Sequence, residues 1–270
     1  MHKSSRKKWE LIADDVPLKG SLNMAVDEYL FRALGNYPQT YLRFYQWEKP
    51  TVSLGYSQDV MKFVDVDFCQ KNGIDIVRRI TGGKLVLHHK ELTYSVSSSD
   101  IETFTSKLSD SYRLISQAII HGLKKMGLRA CLASDPPSGY ARGNLPCFSY
   151  PARNEIEVEG KKIVGSAQKR VGTRFIQHGS IPLEENESLL ELISSLEKGK
   201  SRERMTSLSQ ALGRKIKFNQ AVEYMKYGFS EYFGIDLRSK VFNKREMEAI
   251  FKIQRKRYEN NDWTFLRKES

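Results

Sequence analysis

Three consecutive runs of strand-forming residues between Asn154 and Leu183 constrain the fold more than any other feature of the sequence. The runs read NEIEVEG, KKIVGSAQKR and TRFIQHGSIPL, and turns at Glu159-Gly160 and Val171-Gly172 join them. Short glycine-containing turns return a chain alongside the strand that it has just left. The sequence therefore predicts a three-stranded antiparallel meander.

Helices and further strands precede this meander. Apolar residues recur at helical intervals in Ser21–Leu34 and Thr105–Gly127, which predicts two amphipathic helices. The runs Thr40–Trp47 and Thr51–Tyr56 are rich in strand formers and flank a Glu-Lys-Pro turn, which predicts a β-hairpin. Alternation of strands and helices along the chain indicates a sheet covered by helices.

The last part of the chain is polar and helical in character. It contains LLELISSLEKG, NQAVEYMKYGFSEYFG and KREMEAIFKIQRKRYEN, and neither an internal repeat nor a linker is visible. We expect a single domain over residues 1–270 with a helical C-terminal part at 184–270, without a separate accessory domain.

Composition excludes several classes of protein. With 40% hydrophobic and 28% charged residues, the chain has the make-up of a globular protein. It has no apolar run of about 18 residues, so we expect no membrane span. Three widely spaced cysteines favour a reducing compartment, and we expect the cytoplasm. The net charge of +12 fits a solvated basic surface or an acidic protein partner better than nucleic acid, because no nucleic-acid-binding motif accompanies it.

Familiar cofactor and metal motifs are missing from the sequence. No GxGxxG, HExxH or paired CxxC occurs, and GKKIVGSA lacks the Lys-Ser/Thr that ends a P-loop. His88 and His89 are adjacent, so in a strand they would point to opposite faces and could not chelate one ion. We therefore expect neither a metal nor a cofactor.

The segment RRITGGKLVLHHKELTYS, from Arg78 to Ser95, allows two interpretations. Glycines let a backbone approach a ligand closely and present its N–H groups, and Arg78 and Arg79 could hold an anion or polarise an acyl carbonyl. Alternatively, the segment is a plain hairpin whose turn requires Gly82 and Gly83. The pattern alone leaves both open.

Cys147 and Lys162 are candidates for thiol chemistry. Cys147 ends a long loop rich in Pro, Gly and Ser, where a neighbouring ammonium could lower the pKa of a thiol. Strand alternation puts Lys162 on the same face as Ser166 and Gln168, and His178 on the next strand could face this site too. The alternatives are a buried apolar cysteine and a solvent-exposed hairpin lysine.

These residues together resemble a known family. RRITGG…VLHHKELTYS, CFSYPARNEIEVEGKKIVGSAQKR and QHGSI are similar to the biotin/lipoate protein ligase catalytic superfamily, and most similar to its Cys-dependent octanoyltransferases of the Gram-positive type. The resemblance extends from NMAVDEYLF to YGFSEYFGIDL. It implies an α/β (α+β) fold with a mixed, largely antiparallel β-sheet flanked by helices.

The resemblance also implies roles for individual residues. Cys147 matches the nucleophile that forms an acyl thioester, and Lys162 matches the lysine that lowers the pKa of that thiol. The expected substrate-binding residues comprise the arginine–glycine turn and parts of two later strands: Arg78, Arg79, Thr81, Gly82, Gly83, His88, Ser166, Ala167, Gln168, His178 and Gly179.

The implied reaction moves an octanoyl group from octanoyl-acyl carrier protein to a lysine of a lipoyl-carrier protein. Such an acceptor would be the glycine cleavage H protein or the lipoyl domain of a dehydrogenase complex, and we expect a monomeric enzyme. The alternative is the catalytic part of an ATP-dependent lipoate-protein ligase. Lys84 fits the transferase pattern of a basic residue after two glycines, whereas Leu85 stands where a small residue is expected and could narrow the acyl pocket.

Overall fold

The computed structural model describes residues 6–133, 155–193 and 205–268. Its strands are β1 Lys7–Ala13, β2 Thr40–Tyr45, β3 Thr51–Leu54, β4 Asp75–Arg78, β5 Val86–His88, β6 Glu91–Ser98, β7 Ala130–Leu132, β8 Ile156–Val158, β9 Lys161–Val171, β10 Arg174–Pro182 and β11 Ile235–Ser239. Its α-helices are α1 Gly20–Ala33, α2 Val60–Phe63, α3 Val66–Lys71, α4 Leu108–Lys125, α5 Glu187–Ile193, α6 Leu208–Leu212, α7 Phe218–Phe233, α8 Lys244–Ile253 and α9 Asn261–Leu266. A π-helical turn, Gln254–Tyr258, follows α8.

The strands form two sheets. The larger sheet has the order β11-β1-β2-β6-β10-β9-β8-β7, and the smaller has the order β4-β3-β5. In the larger sheet only the β11–β1 and β1–β2 pairs are parallel, while the other neighbours run antiparallel. The predicted mixed, largely antiparallel sheet flanked by helices is confirmed.

The predicted meander is present as β8, β9 and β10. Glu159 and Gly160 between β8 and β9 have φ angles of 52° and 75°, as a two-residue hairpin turn with two left-handed positions requires. Gly172 between β9 and β10 has a φ of 59°. These turns set the register that places Ala167 opposite His178.

Helices cover both faces of the larger sheet. Leu42 and Phe44 of β2 join a core beneath α4 and α7, whereas Tyr41 and Tyr45 alternate with them and join a core beneath α1 and α8. The two cores therefore occupy opposite faces of the sheet. α4 and α7 pack so closely that a Cβ at Gly228 would lie 2.4 Å from the carbonyl oxygen of Ala118.

The predicted hairpin of Thr40–Trp47 and Thr51–Tyr56 is wrong. Both edges of β2 are occupied, by β1 on one side and β6 on the other, so no edge remains for β3. Instead β3 is the central strand of the smaller sheet, where β4 lies parallel to it and β5 antiparallel. The arginine–glycine segment is consequently not a simple hairpin either, because β4 and β5 flank β3 and do not pair with each other.

The helical C-terminal part contains a strand that the sequence pattern did not reveal. β11, Ile235–Ser239, pairs in parallel with β1, Lys7–Ala13. β11 has five residues and buries only Ile235 fully, which is too short an alternation to stand out from the flanking helices. Among the described residues, none of the helices combines the length and apolar character needed to cross a membrane.

Candidate active site

A pocket lies where the two sheets meet on the α1 side of the molecule, with about 450 Å³ of empty space that includes the part open to solvent. Strands of both sheets and α1 contribute to its walls. Seven of the residues that the sequence predicted for substrate binding line it: Arg79, Gly83, His88, Ser166, Ala167, His178 and Gly179.

The walls of the cavity are largely apolar. Met24 of α1, Tyr45 at the end of β2, and Trp47, Val86 and Ala167 supply hydrocarbon surface. Burial of an aliphatic chain against such walls contributes about 0.8 kcal/mol per methylene. A pocket with walls of this character suits the hydrocarbon part of an acyl chain.

Glycines bring the backbone close to the cavity at two points. Gly83 has a φ of +89°, and a Cβ there would lie 2.9 Å from Nη2 of Arg79. At the rim of the cavity, Gly55 in the loop after β3 lies even closer to the glycine turn, because a Cβ at Gly55 would lie 1.9 Å from the carbonyl oxygen of Gly83. The loop after β3 and the glycine turn therefore touch backbone to backbone.

Arg79 braces this glycine turn. Its Nη2 donates to the carbonyl oxygens of Gly82, at 3.0 Å, and Lys84, at 2.6 Å. Its Nη1 donates to the carbonyl oxygen and the hydroxyl of Ser53, at 2.9 and 3.0 Å. Because the guanidinium is buried, these bonds compensate part of its lost hydration. Arg79 thus forms a wall of the cavity and also fixes the turn.

A hydrogen-bonded chain continues from Arg79 through Ser53 to His88. The Ser53 hydroxyl lies 2.7 Å from Nε2 of His88, and Nδ1 of His88 lies 2.7 Å from Oε1 of Glu91. A carboxylate oxygen accepts, so Nδ1 of His88 is the donor to Glu91, and Nε2 shares the second hydrogen bond with the Ser53 hydroxyl. Glu91 also accepts from Ser180 at 2.6 Å. The polar side chains around the cavity are therefore fixed by hydrogen bonds to one another.

A second buried network fixes His178 on the opposite wall. Thr81 Oγ1 lies 2.7 Å from Nε2 of His178, and Nδ1 of His178 lies 3.2 Å from Oδ2 of Asp27. Asp27 also accepts from Arg43 Nη1 at 3.0 Å and from the Ser95 hydroxyl at 2.8 Å. With Nδ1 donating to the carboxylate, Nε2 accepts from Thr81.

Burial lowers the pKa of His178, although the hydrogen bond and charge of Asp27 oppose that effect. Burial acts to raise the pKa of Asp27, but the hydrogen bond from His178 and the charge of Arg43 outweigh it, so the pKa of Asp27 lies below its usual range. The pair therefore consists of a neutral imidazole and an ionised carboxylate near neutral pH.

Lys162 lies at the start of β9, in an ion pair that the sequence did not predict. Its Nζ is 2.6 Å from Oε1 of Glu155, and the side chains are 1% and 7% exposed. The register between β8 and β9 shifts, so that Glu157 faces Lys162 while Ile156 faces Val164. This β-bulge interrupts the alternation that the sequence analysis extended from Lys162 to Ser166 and Gln168.

Several predicted site residues have other positions. Arg78 is fully buried, and its guanidinium donates to five backbone carbonyls: those of Gly55, Tyr56, Gln58, Trp263 and Thr264. It joins α9 to the loop after β3 and does not face the cavity, because neighbouring strand residues point to opposite sides.

The remaining differences concern Thr81, Gly82, Gln168 and Leu85. The Thr81 hydroxyl forms a hydrogen bond with the ring of His178, and the carbonyl oxygen of Gly82 accepts a hydrogen bond from Arg79. Gln168 points to the other face of the sheet, where its amide donates to Ser111 of α4 at 3.0 Å. Leu85 is buried in an apolar cluster with Val52 and Leu54, so the expectation that it narrows the acyl pocket is wrong.

The predicted nucleophile Cys147 lies outside the described residues. The other two cysteines are free, Cys69 buried and Cys131 exposed. Burial raises the pKa of Cys69 to about 11. Burial and the adjacent Glu157 raise the pKa of Cys131. Neither thiol has the lowered pKa of a nucleophile.

Sequence reasoning missed Met24, Trp47, Asp27, Glu91 and Glu155. The two apolar residues are indistinguishable from core positions until the cavity is seen. The three acids are almost completely buried in the structure. A carboxylate in such a position requires buried partners.

The chain is similar over most of its length to known proteins of one family. Residues 19–230 match the family model described as the lipoyl protein ligase A/B catalytic domain. An octanoyltransferase LipM of Oceanobacillus iheyensis is 34% identical over 268 residues, which are 95% of this chain and 97% of that protein. The octanoyltransferase LipM of Geobacillus kaustophilus is 35% identical over 264 residues, 92% of this chain and 94% of the relative.

Solved structures show the same fold at lower identity. A lipoate-protein ligase A bound with ATP is 24% identical with a TM-score of 0.83, covering 96% of this chain and 98% of that one. The bi-partite lipoate protein ligase of Thermoplasma acidophilum is 23% identical with a TM-score of 0.79, covering 96% of both chains. From the family match and the two curated relatives, the chain belongs to the lipoyl protein ligase A/B catalytic-domain family and, within it, to the LipM octanoyltransferases.

Proposed function

We propose that this enzyme moves an octanoyl group from octanoyl-acyl carrier protein to a lysine of a lipoyl-carrier protein, through a thioester on Cys147. The observation that carries the proposal is the apolar lining of the pocket in a chain that matches octanoyltransferases over nearly its whole length. The cavity accommodates the acyl chain, and the family match supplies the reaction class.

The reaction takes place in two steps. The Cys147 thiolate attacks the carbonyl carbon of the octanoyl thioester, a new carbon–sulfur bond forms, and the carrier thiol leaves and takes up a proton. The ε-amine of the acceptor lysine then attacks the Cys147 thioester. An amide forms, the amine loses a proton, and the Cys147 thiol is released. Exchange of thioesters is near balance and amide formation is downhill, so ATP is not consumed.

Several described residues support these steps from the walls of the cavity, and Lys162 does so from the start of β9, outside the lining residues. The glycine turn braced by Arg79 and the strand segment Gly165–Ala167 form the walls that orient the acyl chain. Lys162 supplies a buried positive charge that stabilises a thiolate or a developing oxyanion. Trp47 stacks on His88 and makes the apolar wall rigid.

Both carrier proteins are expected to be acidic, and a chain of net charge +12 would attract them. Two cations lie against the loop after β3, which touches the glycine turn of the cavity. Lys169, two residues beyond Ala167 on β9, has its Nζ 5.9 Å from the ring of Tyr56, and Nη1 of Arg267 lies 3.4 Å from the carbonyl oxygen of Ser57. We propose that these cations help to dock the carriers, in a monomeric enzyme of the cytoplasm.

Intact-mass measurement after mixing the protein with octanoyl-loaded acyl carrier protein, without ATP, tests the proposal. An octanoyl adduct that hydroxylamine removes, and that Cys147→Ala lacks, is the expected result. Cys131→Ser serves as the matched control, because Cys131 is the exposed thiol among the described residues, and its loss should leave the adduct unchanged.

An ATP-dependent lipoate ligase is the alternative. It predicts no adduct in this experiment and attachment of lipoate to an acceptor domain only when ATP and Mg²⁺ are added. That result would overturn the transferase proposal and assign Cys147 to packing.

A further inference from the structure

A second pocket adjoins the cavity at Ser180. This pocket, here called the side pocket, is enclosed by β5, the end of β10, the start of α5 with the loop before it, and segment 205–207. Leu87 of β5 lines the side pocket, whereas its neighbours Val86 and His88 line the cavity, as strand alternation requires. Ser180 of β10 belongs to the walls of both. A group that enters the side pocket therefore meets the cavity at Ser180.

The wall of the side pocket changes from apolar on the inside to acidic at the outer edge. Leu87 and Met205 are 6% and 9% exposed, and Leu190 of α5 is half-buried. Glu184 and Glu185 lie in the loop before α5, and Glu185 is exposed to solvent. The side pocket thus offers carboxylates where it opens to water and hydrocarbon where it approaches the cavity.

The wall at segment 205–207 is held by backbone hydrogen bonds. Met205 forms a parallel bridge with Lys162 at the start of β9, and the Thr206 amide donates to the carbonyl oxygen of Lys162 at 3.0 Å. The Ser207 hydroxyl accepts from the Gln210 amide at 3.3 Å and caps α6. The side pocket is therefore formed before a ligand arrives, as is usual for ligand sites.

The charges at the outer edge leave one carboxylate for an incoming cation. Glu184 is paired with Lys90 at 2.9 Å, and the charge of Lys215 also acts on it. Burial lowers the pKa of the nearby His89, so this ring is neutral near neutral pH. Among the described residues, Glu185 has no ion-pair partner. A cation that reaches the edge is attracted by Glu185, whereas an anion is repelled.

We propose that the side pocket admits the lysine side chain of the acceptor protein, with Glu185 attracting the ammonium at the edge and Leu87 and Met205 packing against the methylenes. The inference rests on the proposed acyl transfer to a lysine. A lysine side chain is an ammonium on a flexible four-carbon stem. This structure matches a pocket that presents a carboxylate first and hydrocarbon beyond it.

Passage along the side pocket also prepares the amine for reaction. The inner wall disfavours a charged group, because burial in apolar surroundings lowers the pKa of an amine. The ammonium therefore releases one proton to water at the edge and arrives at Ser180 as a neutral nucleophile. Its nitrogen forms a bond to the octanoyl carbonyl carbon, the carbon–sulfur bond of the thioester breaks, and the leaving sulfur takes up the second proton.

Four variants test the proposal. Glu185→Lys reverses the charge at the edge, and Leu190→Trp fills the pocket with a larger side chain. Glu223→Lys on α7 is the matched control for the charge reversal, because Glu223 is exposed on the other face of the sheet. Leu192→Trp is the control for the added ring, because Leu192 lies on the same helix but is 55% exposed.

Three rates are measured for each variant in single turnovers. The first is formation of the acyl-enzyme from octanoyl-loaded acyl carrier protein. The second is octanoyl transfer from the isolated acyl-enzyme to a lipoyl domain. The third is transfer from the acyl-enzyme to n-butylamine, a four-carbon amine that resembles the lysine side chain but has no protein surface.

Glu185→Lys and Leu190→Trp should slow transfer to both amines by roughly tenfold and leave formation of the acyl-enzyme within about twofold of the wild type. Both controls should match the wild type in all three rates. Glu185 is exposed, so Glu185→Lys should fold and carries the test if Leu190→Trp does not. Unchanged transfer in Glu185→Lys would overturn the inference.

Other outcomes point to other uses of the side pocket. Slower formation of the acyl-enzyme with unchanged transfer would assign the pocket to the donor and overturn the lysine site. Slower transfer to the lipoyl domain alone, with n-butylamine unaffected, would place Glu185 on a docking surface and also overturn it.

Failure of the transferase proposal is separable from failure of this inference. If the wild type forms no adduct without ATP, the same variants are compared for attachment of lipoate to a lipoyl domain with ATP and Mg²⁺. Glu185→Lys should still slow the attachment, and an unchanged rate there would overturn the lysine site independently of the route by which the acyl group is activated.

Discussion

Trp47 lies flat against His88, with ring centroids 4.0 Å apart and ring planes 13° from parallel. The indole Nε1 donates to Thr93 Oγ1 at 2.7 Å, and Thr93 in turn donates to Glu91, which also accepts from His88. The aromatic wall of the cavity is thus attached at both ends to one polar network. An apolar surface held in this way has little freedom to adapt to the length of a ligand.

Trp47 should consequently limit the acyl chain that the enzyme accepts. Trp47→Ala enlarges the cavity and should shift the ratio of kcat/KM for decanoyl over octanoyl donors upward by roughly tenfold, because the two additional buried methylenes contribute about 0.8 kcal/mol each. Trp47→Phe retains a ring and is the matched control. Competition between the two donors, read by intact mass, measures the ratio, and an unchanged ratio in Trp47→Ala would exclude this wall as the determinant.

The two glycines of the turn should differ in their tolerance of a side chain. Gly83 has a positive φ and its Cβ position lies 2.9 Å from Arg79, whereas nothing lies within 4 Å of a Cβ at Gly82. Gly83→Ala should lower the free energy of unfolding by about 1–2 kcal/mol, and Gly82→Ala should change it little. Thermal denaturation of both variants is the measurement. Equal losses would contradict the geometry of the turn.

Arg78 should prove structural although its neighbour Arg79 lines the cavity. Arg78→Met leaves five backbone carbonyls without their shared donor, so we expect a loss of roughly 3 kcal/mol or more in unfolding free energy. Denaturant titration gives this value. At a temperature where the variant remains folded, the KM for the octanoyl donor should stay within about twofold of the wild type, and a large rise in KM without loss of stability would restore Arg78 to the binding site.

His178 should make stability depend on pH. The unfolded chain takes up a proton at His178 near the ordinary pKa of 6.5, whereas burial keeps the folded ring neutral to lower pH. The unfolded state then binds more protons below about pH 6.5, so stability falls as pH drops through that window. His178→Asn, which retains a donor toward Asp27, should show a shallower fall in Tm between about pH 7 and 5. His121→Asn on α4 is the control, and equal slopes in wild type and His178→Asn would refute the assignment.

Lys169 and Arg267 should affect carrier binding and not the chemical step. Alanine at both positions should raise the KM for the carrier proteins by roughly threefold at low ionic strength, with a smaller effect in salt. Lys125 provides the control, because its Nζ also lies over a tyrosine, 4.9 Å from the ring of Tyr227, but on helix α4, which covers the other face of the sheet. A salt-independent KM, or the same effect in Lys125→Ala, would count against docking at the rim.

The sequence predicted those parts of the site that short turns determine. Ala167 and His178 face each other because the glycine turn after β9 sets their register over a few residues, and local chemistry suffices for that. Arg78 and Arg79 could not be told apart, because the carbonyls of Trp263 and Thr264, which bind the Arg78 guanidinium away from the cavity, are distant in sequence.

Lys162 illustrates a second limit. The period-two rule holds for a regular strand, and the bulge opposite Ile156 and Glu157 breaks it. The false hairpin of β2 and β3 has a similar origin. Each strand has suitable residues and a suitable turn, but β1 and β6 already occupy both edges of β2, and this competition between distant partners leaves no trace in the local pattern.

The contact between Gly55 and Gly83 has a consequence for how this enzyme could change during evolution. Because the two loops meet through backbone atoms alone, no side-chain exchange at either position can adjust the rim without breaking it. New acyl specificities are therefore more accessible through Val86, Ala167 and Met24, whose side chains face the cavity. The backbone contact between Gly55 and Gly83 would stay constant during evolution, whereas the side chains that line the cavity could be exchanged.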